Sequence, residues 1–412
     1  MVPNGWKLCS LVDVTSWSSG GTPSKSNPDY WGGDVPWISA ASMRGHYYSN
    51  SDLKITELAV NEKAKMAKKG TILLLVRGSM LWNKIPVGIT SRRVAFNQDV
   101  KCISPKPKEL DVTFLLYWFL AKENKLMGMV TGTGIGAGKL DTNDLQSLDV
   151  FLPPLSEQRK IAKTLSTWDK AINTTERLID NSKQHKKAFM QQLLTGKKRL
   201  LDDSGKSFES GWEEKRLSEL GDIYSGGTPS TAKPEYWDGD INWVTPTDIT
   251  KQDSIYIEST ARLVSMDGIK NSSAKLLPKG TLLVCTRATI GAMAIASHEM
   301  STNQGFKNIV PNEKTNIEFV YYLLNFYKHK LISKASGSTF LELSKSAFEG
   351  MHFHIPDYQE QKKIAAVLLN ADREIDVLQQ QLTDLKQEKK ALMQQLLTGK
   401  RRVKINNKEC VA

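Results

Sequence analysis

A chain that spells Met-Gln-Gln-Leu-Leu-Thr-Gly-Lys at residues 190–197, and again letter for letter at 393–400, is constrained first by that repetition. Each copy closes a helical run that also opens alike, with Glu157-Gln158-Arg159-Lys160-Ile161-Ala162 in one and Glu360-Gln361-Lys362-Lys363-Ile364-Ala365 in the other. Apolar positions in these runs step alternately by four and three. The first gives Ile161, Leu165, Trp168, Ile172, Thr175, Ile179, Ser182, Lys186, Phe189 and Leu193; the second gives Ile364, Leu368, Ala371, Ile375, Leu378, Leu382, Leu385, Lys389, Leu392 and Leu396. A 3.5-residue repeat is the pattern of a coiled-coil seam. Lys186 and Lys389 occupy matching seam positions, where a polar residue fixes register at some cost in stability.

The duplication continues upstream. Gly5-Trp6 matches Gly211-Trp212, and Ser19-Gly20-Gly21-Thr22-Pro23-Ser24 matches Ser225-Gly226-Gly227-Thr228-Pro229-Ser230. Trp31 and Trp37 match Trp237 and Trp243, Lys69-Gly70-Thr71 matches Lys279-Gly280-Thr281, and Asn97-Gln98 matches Asn303-Gln304. Within each half, short strands such as 35–39, 71–76 and 100–104 mix with one helix, 111–127 in the first half and 316–334 in the second. Prolines then break the chain at Pro153-Pro154 and Pro356. The predicted fold class is α/β: two globular domains separated by two long helices that form an antiparallel coiled coil, duplicated about a pseudo-twofold axis. The expected boundaries are 1–153 and 211–356 for the domains, 154–198 and 357–402 for the helices, 199–210 for a linker and 403–412 for a tail. Antiparallel pairing follows from connection length. Each helix is about 58 Å long, and a linker of about fifteen residues reaches only about 50 Å when fully extended. Parallel helices would require it to span nearly the whole rod.

Charge narrows the partner. Among 412 residues, 56 Lys and Arg oppose 44 Asp and Glu, a formal charge of +12. Such a field suits nucleic acid. Cys9, Cys102, Cys285 and Cys410 show no metal or redox spacing and read as reduced thiols. No apolar run is long enough to span a membrane, and no signal segment opens the chain. The expected location is cytoplasmic.

Fragments that imitate catalytic motifs fail on inspection. Asn27-Pro28-Asp29-Tyr30 resembles the Asn-Pro-Pro-Tyr of adenine methyltransferases but lacks the second proline, and its counterpart Lys233-Pro234-Glu235-Tyr236 lacks the asparagine. Thr131 to Lys139 is glycine-rich like a phosphate loop, yet Thr133 and Leu140 stand where that motif needs Gly and Ser or Thr. It is expected to be a flexible loop that offers backbone N–H groups to DNA phosphates. Pro356-Asp357 before Glu360-Gln361-Lys362 is a poor nuclease pattern that crosses a helix start. The six histidines form no ligand cluster; His352 and His354 alternate along a strand. No catalytic residue, metal site or bound cofactor is expected.

The duplicated Gly-Gly-Thr-Pro-Ser loop with its following Trp, the Glu-Gln-x-Lys-Ile helix start and the Gln-Gln-Leu-Leu-Thr-Gly-Lys helix end together resemble the specificity subunit of type I restriction–modification enzymes, over essentially the whole chain. The resemblance implies a non-catalytic subunit of a phage-defence system with two target-recognition domains. Each would read one half of a bipartite, asymmetric target on double-stranded DNA, with the helices setting the spacer. Two modification (methyltransferase) subunits and restriction/translocase subunits would be the partners, and S-adenosylmethionine and ATP would belong to them. Two other readings stay open at this point. A self-sufficient methyltransferase or nuclease would show activity as a purified chain, and a coiled-coil scaffold with non-DNA ligands would show no salt-dependent DNA binding.

If the domains read different half-sites, residues identical between repeats cannot carry the difference. Gly20, Gly21, Thr22, Arg77, Asn97 and Gln98, with Gly226, Gly227, Thr228, Arg287, Asn303 and Gln304, should build scaffold or grip the backbone. Base readers are expected where the repeats diverge: Arg44, His46, Tyr47, Tyr48, Lys84, Arg92 and Arg93 in the first, Lys251, Gln252, Asp253, Arg262 and Lys270 in the second. Off the seam, Leu178, Met190, Leu194, Val367, Leu369, Val377, Met393 and Leu397 are apolar. A two-stranded coil would leave several of them exposed, and they are expected to receive the modification subunits.

Overall fold

A computed structural model describes residues 2–62, 64–134, 136–336 and 341–404. Ile135, residues 337–340 and 405–412, and with them Cys410 and most of the expected tail, lie outside the described residues. The chain divides into two units, Met1–Glu176 with Gln380–Ala412, and Arg177–Gln379. The long helices run Leu155–Leu193 and Tyr358–Leu396, 39 residues each. Each unit therefore holds the opening of one long helix and the close of the other.

Within each unit the two helix segments run antiparallel. In the first, Lys386 meets Glu176 and Lys389 meets Asp169; in the second, Ser182 meets Glu374 and Lys186 meets Asp372. One number rises as its partner's falls. Much of the predicted seam is buried: Ile161, Leu165, Ile172, Thr175, Ile179, Ser182 and Leu193 on the first helix, and Ile364, Leu368, Ile375 and Leu396 on the second, whereas Trp168, Lys186, Ala371, Leu378, Leu382, Leu385, Lys389 and Leu392 are half-buried. Each fully buried Ile or Leu contributes about 1.5–3 kcal/mol. Phe189 departs from the expectation and is exposed. By that point the helix end has turned its apolar face to the globular part, where Leu193 and Leu194 join the core around Leu217, Leu220 and Phe319.

The globular parts repeat one topology. In the first unit a five-stranded sheet orders Thr15–Ser19, Val100–Pro105, Ile72–Leu75, Val87–Thr90 and Tyr47–Tyr48, with only the last pair parallel. The second unit repeats it as Gly221–Ser225, Phe306–Pro311, Leu282–Cys285, Met293–Ala296 and Tyr256–Ile257. A further sheet in each carries the tryptophan strand, Trp31–Ile38 or Trp237–Val244, paired in parallel with Val94–Phe96 or Met300–Thr302. In both units the strand before the long helix pairs with the first strand of the repeat, Asp149–Leu152 with Lys7–Ser10 and His352–Ile355 with Glu213–Arg216.

The single helix predicted in each half is two. Val112–Ala121 and Glu123–Gly128 meet at Lys122, and Ile317–Phe326 and Lys328–Ser333 meet at Tyr327. Lys122 and Tyr327 sit at ψ 4° and 23°, which closes one helix and redirects the next without the Gly or Pro that would mark a break in sequence. The first of each pair starts on a side-chain cap, Asp111 accepting from Thr113 and Phe114 N–H and Asn316 from Phe319 N–H.

The glycine-rich stretch is likewise not a free loop. Thr131–Gly132 and Gly138–Lys139 form an antiparallel hairpin, and Thr133 N–H donates to Ala137 O. That N–H is engaged within the hairpin rather than offered to a ligand.

Candidate nucleic-acid interface

The duplicated Glu-Gln at each helix start is a buried fastening. Gln158 accepts from Asp111 N–H at 2.8 Å and donates to Glu109 O and Pro153 O; Gln361 accepts from Asn316 N–H and donates to Lys314 O and Pro356 O. Glu157, 1% exposed, takes a fork from Arg402 at 2.6 and 2.7 Å and the Trp6 indole N–H at 3.1 Å. Glu360 repeats this with Arg199 at 3.0 and 2.6 Å and Trp212 at 3.2 Å. Arg199 and Arg402 follow the helix ends, in segments read from sequence as linker and helix terminus. Only the matching offset from Gly196 and Gly399 hinted at their role.

The residues identical between repeats form one motif. Gly21 N–H donates to Phe96 O and Gly227 N–H to Thr302 O, each at 2.9 Å. Trp37 and Trp243 donate their indole N–H to Gly21 O and Gly227 O at 3.0 Å. A Cβ on Gly20 would run into Asn97 O and Phe96 O, and one on Gly226 into Asn303 O, so glycine is required by close backbone approach. Thr22 donates to Gln98 at 2.5 Å, and Thr228 donates to Gln304. Thr22, Gln98 and Gln304 remain exposed, whereas Asn97 is buried against Asp99 and Asn303 accepts from Gly305 N–H. Asn27-Pro28-Asp29-Tyr30 is a short helical turn capped by Asn27, with Tyr30 buried.

The divergent candidates scatter more. Arg44, His46 and Tyr47 are exposed beside the edge strand, and His46 Nδ1 donates to Val87 O at 3.0 Å. Tyr48 does not fit the expectation of a base reader. The pleat turns its ring inward, where it is 2% exposed and its hydroxyl has no partner among the described residues. Lys84, Arg92 and Arg93 are exposed, Arg93 standing 3.6 Å from Glu57. His46 also lines a hollow of ≈ 460 Å³ with Glu123, Asp169, Lys386, Lys389 and Lys390, so the first unit sets this loop against its helix pair. In the second unit Lys251 and Gln252 line a hollow of ≈ 490 Å³ with Asp248, Tyr256 and Glu258, and the Gln252 amide nitrogen has no partner among the described residues. Burial, and after it the hydrogen-bonded carboxylate of Glu318, push the Tyr256 phenol up to about 12. Asp253 and Lys270 are exposed, and the Arg262 guanidinium carbon sits over the Trp237 ring, 3.7 Å from its centre.

The helix apolar positions divide. Leu178 and Val377 are exposed, at 46% and 67%. Met190, Val367, Leu369 and Met393 are half-buried against the cores. Leu194 and Leu397 are corrected: both are buried in the globular cores, because each helix end docks there rather than continuing as a free coil. Among the described residues no helix is long and apolar enough to cross a membrane, and no acidic, His or Cys cluster could hold a metal.

A family profile described as the type I restriction modification DNA specificity domain matches twice, at residues 3–181 and 209–387. Two similar curated proteins come from Methanocaldococcus jannaschii. The type I restriction enzyme MjaVIII specificity subunit is 27% identical over 98% of this chain and 94% of its own length, and the MjaIX specificity subunit is 41% identical over 38% of this chain and 37% of its own. Among solved structures, the type I restriction–modification S subunit of M. genitalium has a TM-score of 0.58 at 18% identity, covering 98% of this chain and all of that one. A chain from a study of type I R-M complex assembly and conformational transition has a TM-score of 0.60 at 17% identity, covering 97% of this chain and all of that one. These last two likenesses are of fold.

Proposed function

The chain belongs to the type I restriction–modification DNA specificity family, and from that premise we propose that it directs a modification and restriction complex to a bipartite DNA site. It is a non-catalytic recognition subunit with two DNA-recognition domains. Each domain reads one half-site, and the helix pair sets the unread spacer. The observation that carries this reading is that one structural repeat recurs with its fastenings intact while its exposed loop residues differ. That is what a protein needs when it holds two unlike readers on one frame.

Two modification subunits and the restriction/translocase subunits are its partners, and S-adenosylmethionine and ATP are bound by them, in the cytoplasm. The recognition domains comprise residues 1–153 and 211–356. The readers in this account are Arg44, His46, Tyr47, Lys84, Arg92 and Arg93 in the first, and Lys251, Gln252, Asp253, Arg262 and Lys270 in the second. The exposed positions Leu178 and Val377 offer apolar surface to the modification subunits; a charged replacement at Leu194 would report on folding instead. Methylation sequencing of a host with and without this gene tests the function. The expected result is loss of methyladenine at a single split motif with a fixed gap, and an unchanged methylation pattern would overturn it.

A further inference from the structure

In the first unit, Arg77–Gly78 pairs antiparallel with Gly138–Lys139, which pairs with Thr131–Gly132. Thr131, Lys139 and Arg77 fall in one cross-strand row, and Gly132, Gly138 and Gly78 in the next. Successive residues of a strand face opposite sides. At the centre of the glycine row Gly138 is buried, and a Cβ there would meet Val130 and Leu81, while Gly78 is half-buried and Gly132 at the row's edge is exposed. The other row faces outward, and all three of its residues are exposed. The indole of Trp82 donates to Gly136 O at 3.1 Å and ties the hairpin to the segment after Arg77.

Placing lysine directly across from arginine costs stability, since like charges opposed on a ladder repel. Asp141 stands 3.9 Å from Lys139 with both side chains about half exposed, a pair worth little in water. The second unit has the same row with one decisive change. Ser336 bridges to Glu342, and Glu342 bridges to Arg287, so Glu342 stands where the first unit has Lys139. Its carboxylate meets the Arg287 guanidinium at 2.8 Å, with Lys307 at 3.9 Å. One repeat supplies its arginine with an internal anion, and the other adds a second cation.

We propose that the Thr131–Lys139–Arg77 row of the first unit binds the DNA backbone phosphate, and that Glu342 closes the equivalent row of the second, so the two repeats grip DNA unequally. This rests on the DNA-recognition reading above. The chemistry suits a phosphodiester: a guanidinium fork bonds two phosphate oxygens and an ammonium adds a point charge, while the Thr131 hydroxyl donates to Lys139 O at 3.3 Å and ties the strand that carries the lysine. The arginine is shared by the repeats and carries no sequence information. The specificity of the row lies in whether it touches DNA at all.

Lys139→Glu tests this, because it writes into the first unit the ion pair that the second already holds. The full chain with its partner subunits is titrated onto a duplex carrying its methylation motif, across a range of NaCl. The melting temperature of the variant should equal or exceed that of the parent. The slope of log K against log salt should fall by about 0.9, the value of one phosphate no longer neutralised, with the order of preference among sequences unchanged. Arg77→Ala should lower it by about 0.9. Unchanged slopes in both variants, changed preference at one base pair, or release of a partner subunit at unchanged DNA affinity would each overturn the proposal. If the parent complex shows no salt-dependent, site-specific binding, the DNA-recognition reading itself has failed, independently of either variant.

Discussion

Arg402→Ala should destabilise the first unit through a carboxylate it does not itself carry. The Glu157 side chain is 1% exposed, against 43% for Arg402. Removing the arginine leaves a buried charge whose remaining side-chain donor is the Trp6 indole at 3.1 Å. Breaking a buried pair from one side costs about 3–5 kcal/mol. The half-exposed guanidinium shows that water can approach from that side, which places the loss near the lower end, about 3 kcal/mol. In a unit of this size each kcal/mol lowers the melting temperature by about 2–4 °C, so calorimetry should show a fall of about 6–12 °C. Hydrogen exchange should locate it, with protection lost at 6–10 and 149–157 and retained in the second unit. Replacing Glu157 by Gln in the same chain removes the orphaned charge and should recover most of the loss. A fall below about 2 °C for Arg402→Ala, or no recovery in the double variant, would refute the account of Glu157 as a charge held by its partner.

Two further outcomes follow from the same reasoning. Lys389 donates to Asp169 at 2.5 Å, and Asp169 accepts from the Tyr117 hydroxyl at 2.5 Å; Lys186, Asp372 and Tyr322 repeat the triad. Lys389→Met and Lys186→Met should each cost about 1.5–3 kcal/mol in denaturant unfolding, with nearly equal values because the two sites are copies; a cost in one alone would break the equivalence. Lys307→Met should instead stabilise the second unit by about 1 kcal/mol, because the Lys307 ammonium is buried at 3.9 Å from Glu342, beyond hydrogen-bond reach, while Arg287 already holds that carboxylate. Desolvation depresses the Lys307 pKa, so the folded state bears the full cost below that depressed value. The cost shrinks as pH rises through it and is gone above the ordinary lysine value. The gain in melting temperature should therefore be largest at neutral pH and vanish in alkali, and a variant less stable at neutral pH would contradict it.

What the sequence revealed and what it hid divide along physical lines. The seam was legible because burial at Ile161, Leu165, Ile172 and Ile179 imposes a period, and the paired Gly20 and Gly226 were legible because close backbone approach admits one residue type. Lys186 and Lys389 were placed on the seam by spacing alone, but their Asp and Tyr partners come from other elements and leave no local trace. The break at Lys122 was invisible because ψ near zero needs no special residue. The inward face of Tyr48 leaves no mark in the sequence, because a two-residue edge strand is too short to show an alternation. The hairpin of Thr131 to Lys139 was hidden for a related reason: glycine at every second position reads as looseness until the strand beside it is known.

The fastening of Trp6, Glu157 and Arg402, with its copy at Trp212, Glu360 and Arg199, has a consequence for inheritance. The Trp, Glu and Arg that tie a globular part to its helices are the same at both junctions, while exposed loop residues differ between the repeats. A foreign cassette exchanged between such borders would meet the sockets it expects, and a single crossover could give the host a new address without any retooling of the frame.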